Sequence, residues 1–242
     1  MDAGIRERSH AGLLFAIVAV LTSCILGASW ASAANEKKAD AERLVEKSRL
    51  TLEAFVADKD MGPPLKSLLP RAKGVLIYPQ VLKGAFIVGA AGGSGVMLAH
   101  EAKAPHWSGP AFYTMGEASF GLQIGGEAME VVLVALTEKG VSALLSTSVK
   151  LGGNVGVAAG PVGAGAAAAT QNLSADIVSY ARAKGLFAGV SLDGAVVDVR
   201  ETLNDAYYGK KVTPTDILVK GSVKNAQANK LKAAVSKAAG GK

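Results

Sequence analysis

Downstream of residue 33 the sequence carries two histidines, His100 and His106. Glu101 follows His100, but the two rings lack the i, i+4 spacing that sets a pair of zinc ligands on one helical face. With no cysteine beside them, they predict exposed loop side chains and no metal centre. Gly92-Gly93-Ser94-Gly95-Val96 approximates a nucleophile elbow. It has Val where that turn needs its last Gly, and no strand–turn–helix context is expected around it. A hydrolase would have to use Ser94, Ser119 or Ser146 with one of the two histidines. Position 98 is Leu, so Gly93-Ser94-Gly95 does not continue as a dinucleotide-binding GxGxxG, and no GxxxxGK[ST] phosphate loop exists. No spacing pairs two carboxylates across a cleft. The sequence predicts no catalytic residue, no cofactor and a protein that is not an enzyme.

The remaining chemistry is charge. The chain is +6 overall, yet Lys210 to Lys242 holds eight lysines and one acid, Asp216, so the body is close to neutral. A lysine-rich tail can bind an anionic surface, but a solvated helical tail that maintains solubility is the simpler expectation. Nucleic-acid recognition would bring arginine and aromatic residues into the same stretch. The tail has neither beyond Tyr207 and Tyr208 at its edge, so no nucleic-acid partner is expected.

The N-terminus reads as an address. Arg6, Arg8 and His10 precede an apolar run from Ala11 to about Leu26, and Ala31-Ser32-Ala33 ends the pattern. This is the layout of a secretory signal cleaved after Ala33. An uncleaved anchor would need a longer apolar run. Leu21-Thr22-Ser23-Cys24 offers a second processing route, in which Cys24 is acylated. The apolar residues after Cys24 do not make the polar tether of a lipoprotein, so simple secretion is the preferred reading. Either route predicts an exported protein of the periplasm or cell envelope. Cys24 is the one cysteine, which excludes a disulfide scaffold and any thiol chemistry downstream.

The elements that must position these charges follow from periodicity. Half of the 242 residues are hydrophobic, which excludes a disordered chain, and the aromatic content is only 5%. Asn35 to Asp58 is expected to be a helix, with Ala41, Leu44, Val45, Ser48, Leu52, Phe55 and Val56 on one stripe. Packing on the domain is preferred over a membrane-surface role, because acids and bases are mixed on its other faces. Gly62-Pro63-Pro64 ends it, and Leu65–Leu69 forms a short helical turn. From Gly74 short strands are expected near 75–78, 85–89, 96–100, 111–114, 119–124 and 130–135, with Gly92–Gly95 and Trp107–Pro110 as turns. Thr137 caps a helix through Leu145. Residues 152–169, rich in Gly and Ala, are expected to be strand to Ala159 and loop beyond. Strands follow at 176–183, 186–192 and 195–199, with a hairpin turn at Asp193-Gly194. Helices are expected at 200–208, after the Thr213-Pro214 cap, and over much of 224–238. Gln123 would be a structural hydrogen-bond hub, and Tyr207-Tyr208 would pack a helix on the sheet. The fold class is α+β: an antiparallel β-sandwich or small barrel of short Gly-punctuated strands, flanked by an N-terminal helix and C-terminal helices.

An ordered set of blocks resembles the SYLF domain, also called the Ysc84-type lipid-binding or actin-binding domain. They are Lys73–Pro79, Lys83–Gly89, Gly92–Val96, Trp107–Tyr113, Ser119–Gly126, Ala159–Gly163, Lys184–Gly194 and Tyr207–Lys210, covering roughly Leu44 to Leu218. The resulting organisation is a cleaved signal at 1–33, a SYLF-like domain at 34–218 and a lysine-rich tail at 219–242. The resemblance implies a module that binds anionic phospholipid through an N-terminal amphipathic helix and basic surface. By position, Lys37, Lys38, Arg43, Lys47 and Arg49 are the candidate phosphate contacts. An exported chain would not meet actin, so actin is left out. An envelope interaction protein without lipid preference is the alternative.

Overall fold

Alternation of side chains along each strand gives this chain a sheet that is buried on both faces. The computed structural model describes residues 34–85, 88–100, 106–120, 125–153, 155–163, 165–170, 174–183, 186–189 and 192–241. The proposed signal, Cys24 and Gln123 lie outside them. Seven helices are described: α1 (residues 34–57), α2 (Gly62–Leu68), α3 (Glu138–Leu145), α4 (Ala166–Ala169), α5 (Glu201–Tyr208), α6 (Pro214–Leu218) and α7 (Asn229–Ala238). The strands are β1 (Gly74–Ala85), β2 (Val88–His100), β3 (Trp107–Phe120), β4 (Gly125–Ala135), β5 (Ser148–Lys150), β6 (Val157–Ala159), β7 (Ile177–Ala183), β8 (Leu186–Gly189) and β9 (Val196–Val199).

They form one curled sheet, a half-barrel, in the order β5-β9-β3-β2-β1-β4-β7-β6, with β8 paired to β7. Adjacent strands are antiparallel except β6 and β7, which run parallel. The α+β class and the flanking helices are as the sequence predicts, and of the two arrangements expected the barrel-like one is nearer.

Val75, Ile77, Val96, Leu98, Phe112, Val132 and Val134 face α1, α2, α5 and α7. Their sequence neighbours Leu76, Met97, Tyr113, Val131 and Leu133 face α3, α6 and the inward-curling β5–β9 edge. The stripe foreseen on α1 is the packed one, since Ala41, Val45, Ser48, Leu52 and Phe55 are buried. The apolar face of α1 is therefore committed to the core. Thr137 Oγ1 accepts from Gly140 N at 3.0 Å to cap α3, and Thr213 and Asp216 form a reciprocal capping box on α6 with Pro214 in its first turn.

Several strands are longer than the sequence suggests. β1 runs through Pro79, which a register shift between Ile77 and Gln80 accommodates. β2 runs straight through Gly92–Gly95, where a turn was expected. A Cβ on Gly95 would stand 2.6 Å from the Tyr78 ring, and one on Gly93 would stand 2.3 Å from Gln80 O. These glycines allow close approach inside a sheet, not a reversal of the chain. β3 likewise starts at Trp107, inside a second expected turn. Ala166–Ala169 makes a helical turn, not a loop.

Candidate functional site

Basic side chains from widely separated parts of the chain gather where the two ends of the helical layer meet. Lys37 and Lys38 lie on the exposed first turns of α1. Lys210 and Lys211 follow directly on α5, which Gly209 terminates with a left-handed φ of +70°. Asp205 Oδ1 accepts from Val212 N at 3.1 Å and folds this segment back on its helix. All four lysines line a cleft of about 750 Å³, together with Asn35, Thr202 and Asp205. Asp205 is the one acid of that lining, and its carboxylate is engaged with the backbone. Cations immediately after α5 also face the negative end of its dipole.

The other sequence-predicted contacts sit elsewhere on α1. Arg43 pairs with Asp40. Arg43 and Lys47 border a smaller cavity of about 210 Å³ with Ser94 and Arg200. Arg200 Nη1 donates to Ser94 Oγ at 2.6 Å. Arg200 was not foreseen as a site residue. Its only sequence signal is an arginine at the junction of the last strand and a helix. Arg49 stands apart, bonded to Glu46 at 2.5 Å and to Glu53 at 2.7 Å. The bond from Arg49 holds the Glu46 carboxyl below its ordinary range, and the bonds to Glu46 and then Glu53 hold the guanidinium above its own. With both carboxylates on it, Arg49 has few donors left for a phosphate.

A second connected group ties α1 to the sheet. Glu130 on β4 pairs with Arg182 on β7 and accepts from Thr51 Oγ1 at 3.1 Å. The Arg182 guanidinium lies over the Phe55 ring, 5.7 Å from its centroid. Tyr207 and Tyr208 pack as expected. Tyr207 is buried against Phe112 with ring centroids 5.1 Å apart, and its hydroxyl donates to Gln227 Oε1 at 2.8 Å. The Tyr208 hydroxyl donates to Pro110 O at 2.8 Å. Burial pushes both phenols up.

His100 packs edge-on against Trp107 at 5.4 Å, and among the described residues no three His, Cys, Asp or Glu groups gather to hold a metal. Ser94 is bound to Arg200. No helix among the described residues is long and apolar enough to cross a membrane.

Fold and site together define a one-sheet α+β module with a lysine-lined cleft on its helical side. The Ysc84 family model, described as "Las17-binding protein actin regulator", matches residues 116–238, half of the chain. The chain is 37% identical over 177 residues to protein YSC84 of Saccharomyces cerevisiae, covering 71% of this chain and 36% of that protein. It is 36% identical over 170 residues to LAS seventeen-binding protein 3 of the same yeast, covering 69% and 36%. It is 33% identical over 166 residues to the human SH3 domain-containing YSC84-like protein 1, covering 68% and 48%. The chain belongs to the Ysc84 family, as the ordered blocks in its sequence indicate. It spans between about a third and a half of these relatives' lengths.

Proposed function

We propose that this chain is a non-enzymatic module that binds anionic phospholipid headgroups at a membrane surface. The observation that carries this reading is the cleft where Lys37, Lys38, Lys210 and Lys211 meet with a single acid. Exposed ammonium groups are point charges suited to phosphate, with little geometric selectivity between headgroups. Residues 1–33 supply export, and the module works in the periplasm or cell envelope, either as a free protein cleaved after Ala33 or held by acylated Cys24.

The test is co-sedimentation of the purified protein with neutral and anionic vesicles at low and high salt. Binding is expected to anionic vesicles alone, and to fade as added salt shortens the Debye length to about 3 Å near 1 M. Replacing Lys37, Lys38, Lys210 and Lys211 together by Gln should weaken it by about tenfold or more, each cation near the surface being worth about 1 kcal/mol. Unchanged binding in that variant would remove the cleft from the reading. A protein-interaction role is the second reading, favoured by relatives named for binding LAS seventeen. It predicts capture of an envelope protein and no vesicle binding.

A further inference from the structure

The smaller basic cavity does not stand alone. Lys47 borders both it and a second cavity of about 570 Å³ on the same flank of α1. Their helical lining runs from Asp40 to Ala54. At 1.5 Å per residue this stretch of α1, with Lys47 joining the two cavities, is about 20 Å long. One wall is α1 and the floor is the sheet at Pro79, Gln80, Ser94 and Ala128. The two halves differ in chemistry. The first has three cations, Arg43, Lys47 and Arg200, against Asp40, which Arg43 already engages. Arg200 is bonded to a neutral hydroxyl, and neither it nor Lys47 has a carboxylate partner among the described residues. The apolar side chains of the second half are Leu50, Ala54, Pro79 and Ala128; Met129 also borders it, but its side chain packs in the opposite core. The ionic groups at its far end, Glu130 and Arg182, neutralise one another.

Wall and floor are open as well as apolar. Leu50 and Leu82 are 52% and 56% exposed, and Leu82 is the register partner of Ala128. Gly116 shares the α1-side face with Phe112 and Thr114 by strand alternation, and a Cβ built on it would meet nothing within 4 Å. A folded chain gains nothing by leaving apolar side chains uncovered next to unpaired cations unless something amphiphilic covers both. A lipid-sized ligand fits the dimensions. Pockets for such molecules hold about 300–1,000 Å³. A bilayer core of about 30 Å is filled by two acyl chains end to end, so one chain needs about 15 Å.

We infer that this flank of α1 holds a single anionic phospholipid molecule, with its phosphate at Arg43, Lys47 and Arg200 and an acyl chain along Leu50, Ala54 and Ala128. This rests on the lipid reading above but is a different contact: one molecule in a groove, not a surface under a cleft. The guanidinium of Arg200 offers the planar fork that phosphate oxygens accept. The Glu130–Arg182 pair closes the far end and keeps α1 seated while the groove is occupied.

The experiment titrates the full chain by calorimetry with dihexanoyl phosphatidate below its micelle concentration, and separately with inorganic phosphate. Vesicle sedimentation runs in parallel. The lipid should bind at least about tenfold more tightly than phosphate, because only it buries apolar surface. Arg200→Gln should weaken both ligands by about tenfold, as expected for loss of a charge-assisted contact. Ala128→Trp, at an exposed position, should block the chain and weaken the lipid alone; Ala54→Leu repeats the block from the opposite wall if the first variant fails to fold. Equal affinity for lipid and phosphate, or insensitivity to both blocking variants, overturns the proposal in favour of a simple anion pocket. Vesicle binding without monomer binding overturns the groove and leaves the surface module standing. Monomer binding without vesicle binding does the reverse.

Discussion

At the scale of single residues, the carboxylates of this chain divide by what they accept. Asp176 accepts from Gly156 N at 2.9 Å and from Thr137 Oγ1 at 2.7 Å, with Lys139 Nζ at 3.3 Å. The Gly156 N–H, then Thr137, then Lys139 hold its carboxyl below the ordinary 3.8. A depressed folded value means that this stabilisation is complete above the ordinary carboxylate range. It is lost as pH falls through the lower folded value. Asp176→Asn should therefore cost on the order of 1–2 kcal/mol at pH 7, where hydrogen bonds to a charged acceptor are lost. The cost should shrink towards pH 3. Urea unfolding at both pH values measures it, and an equal gap at both would show that the charge is irrelevant. The cap that Thr137 provides was legible in the sequence because it is local. The role of Asp176 was not, because its partners lie 20 and 39 residues away.

At the scale of elements, periodicity placed the helices well and the long strands poorly. The α1 stripe and the Thr137 and Thr213 caps follow from spacing within a few residues. Gly92-Gly93-Ser94-Gly95 has turn composition, and no local rule separates a turn from a strand that must pass under a neighbouring tyrosine. Only the register, which sets Gly95 opposite Tyr113 and beside the Tyr78 strand, decides it. The same register argument separates two glycines that look alike in sequence. Gly95→Ala puts a methyl into the Tyr78 ring and Ile77 O, both at 2.6 Å, and should destabilise the fold by about 1–3 kcal/mol. Gly116→Ala enters open space on a neighbouring strand. It should be neutral or slightly stabilising, within about 1 kcal/mol, through reduced freedom of the unfolded chain. Thermal unfolding of the two variants side by side tests this, and equal losses would mean that strand glycines matter here for backbone freedom alone.

At the scale of the whole molecule, the two charge clusters visible in the sequence become one surface. Lys37 and Lys38 and the start of the lysine-rich segment are more than 170 residues apart, yet line one cleft. That meeting depends on α5 docking on β3, through Phe112 N donating to Asn204 Oδ1 at 2.9 Å and Arg200 N donating to Phe112 O at 2.9 Å. Such long-range pairing has no signature in composition or spacing. The same holds further along the chain, where a solvated tail was the simpler expectation. Leu231 and Val235 of α7 are buried in the core that contains Ala41 and Val45 of α1, and Gln227 Nε2 donates to Glu42 O at 3.1 Å. Lysines and apolar residues of this segment therefore have separable duties. Leu231→Ala should cost about 2–5 kcal/mol, the usual range for emptying a buried leucine site. Replacing the exposed Lys224, Lys230 and Lys237 by Gln should change stability by no more than about 0.5 kcal/mol. A chain ending at Leu218 should unfold at lower urea than either variant, because it uncovers α1 and removes the whole helix–helix contact. If that truncated chain were as stable as the full one, the segment would be an electrostatic appendage, and α1 would need no cover from α7.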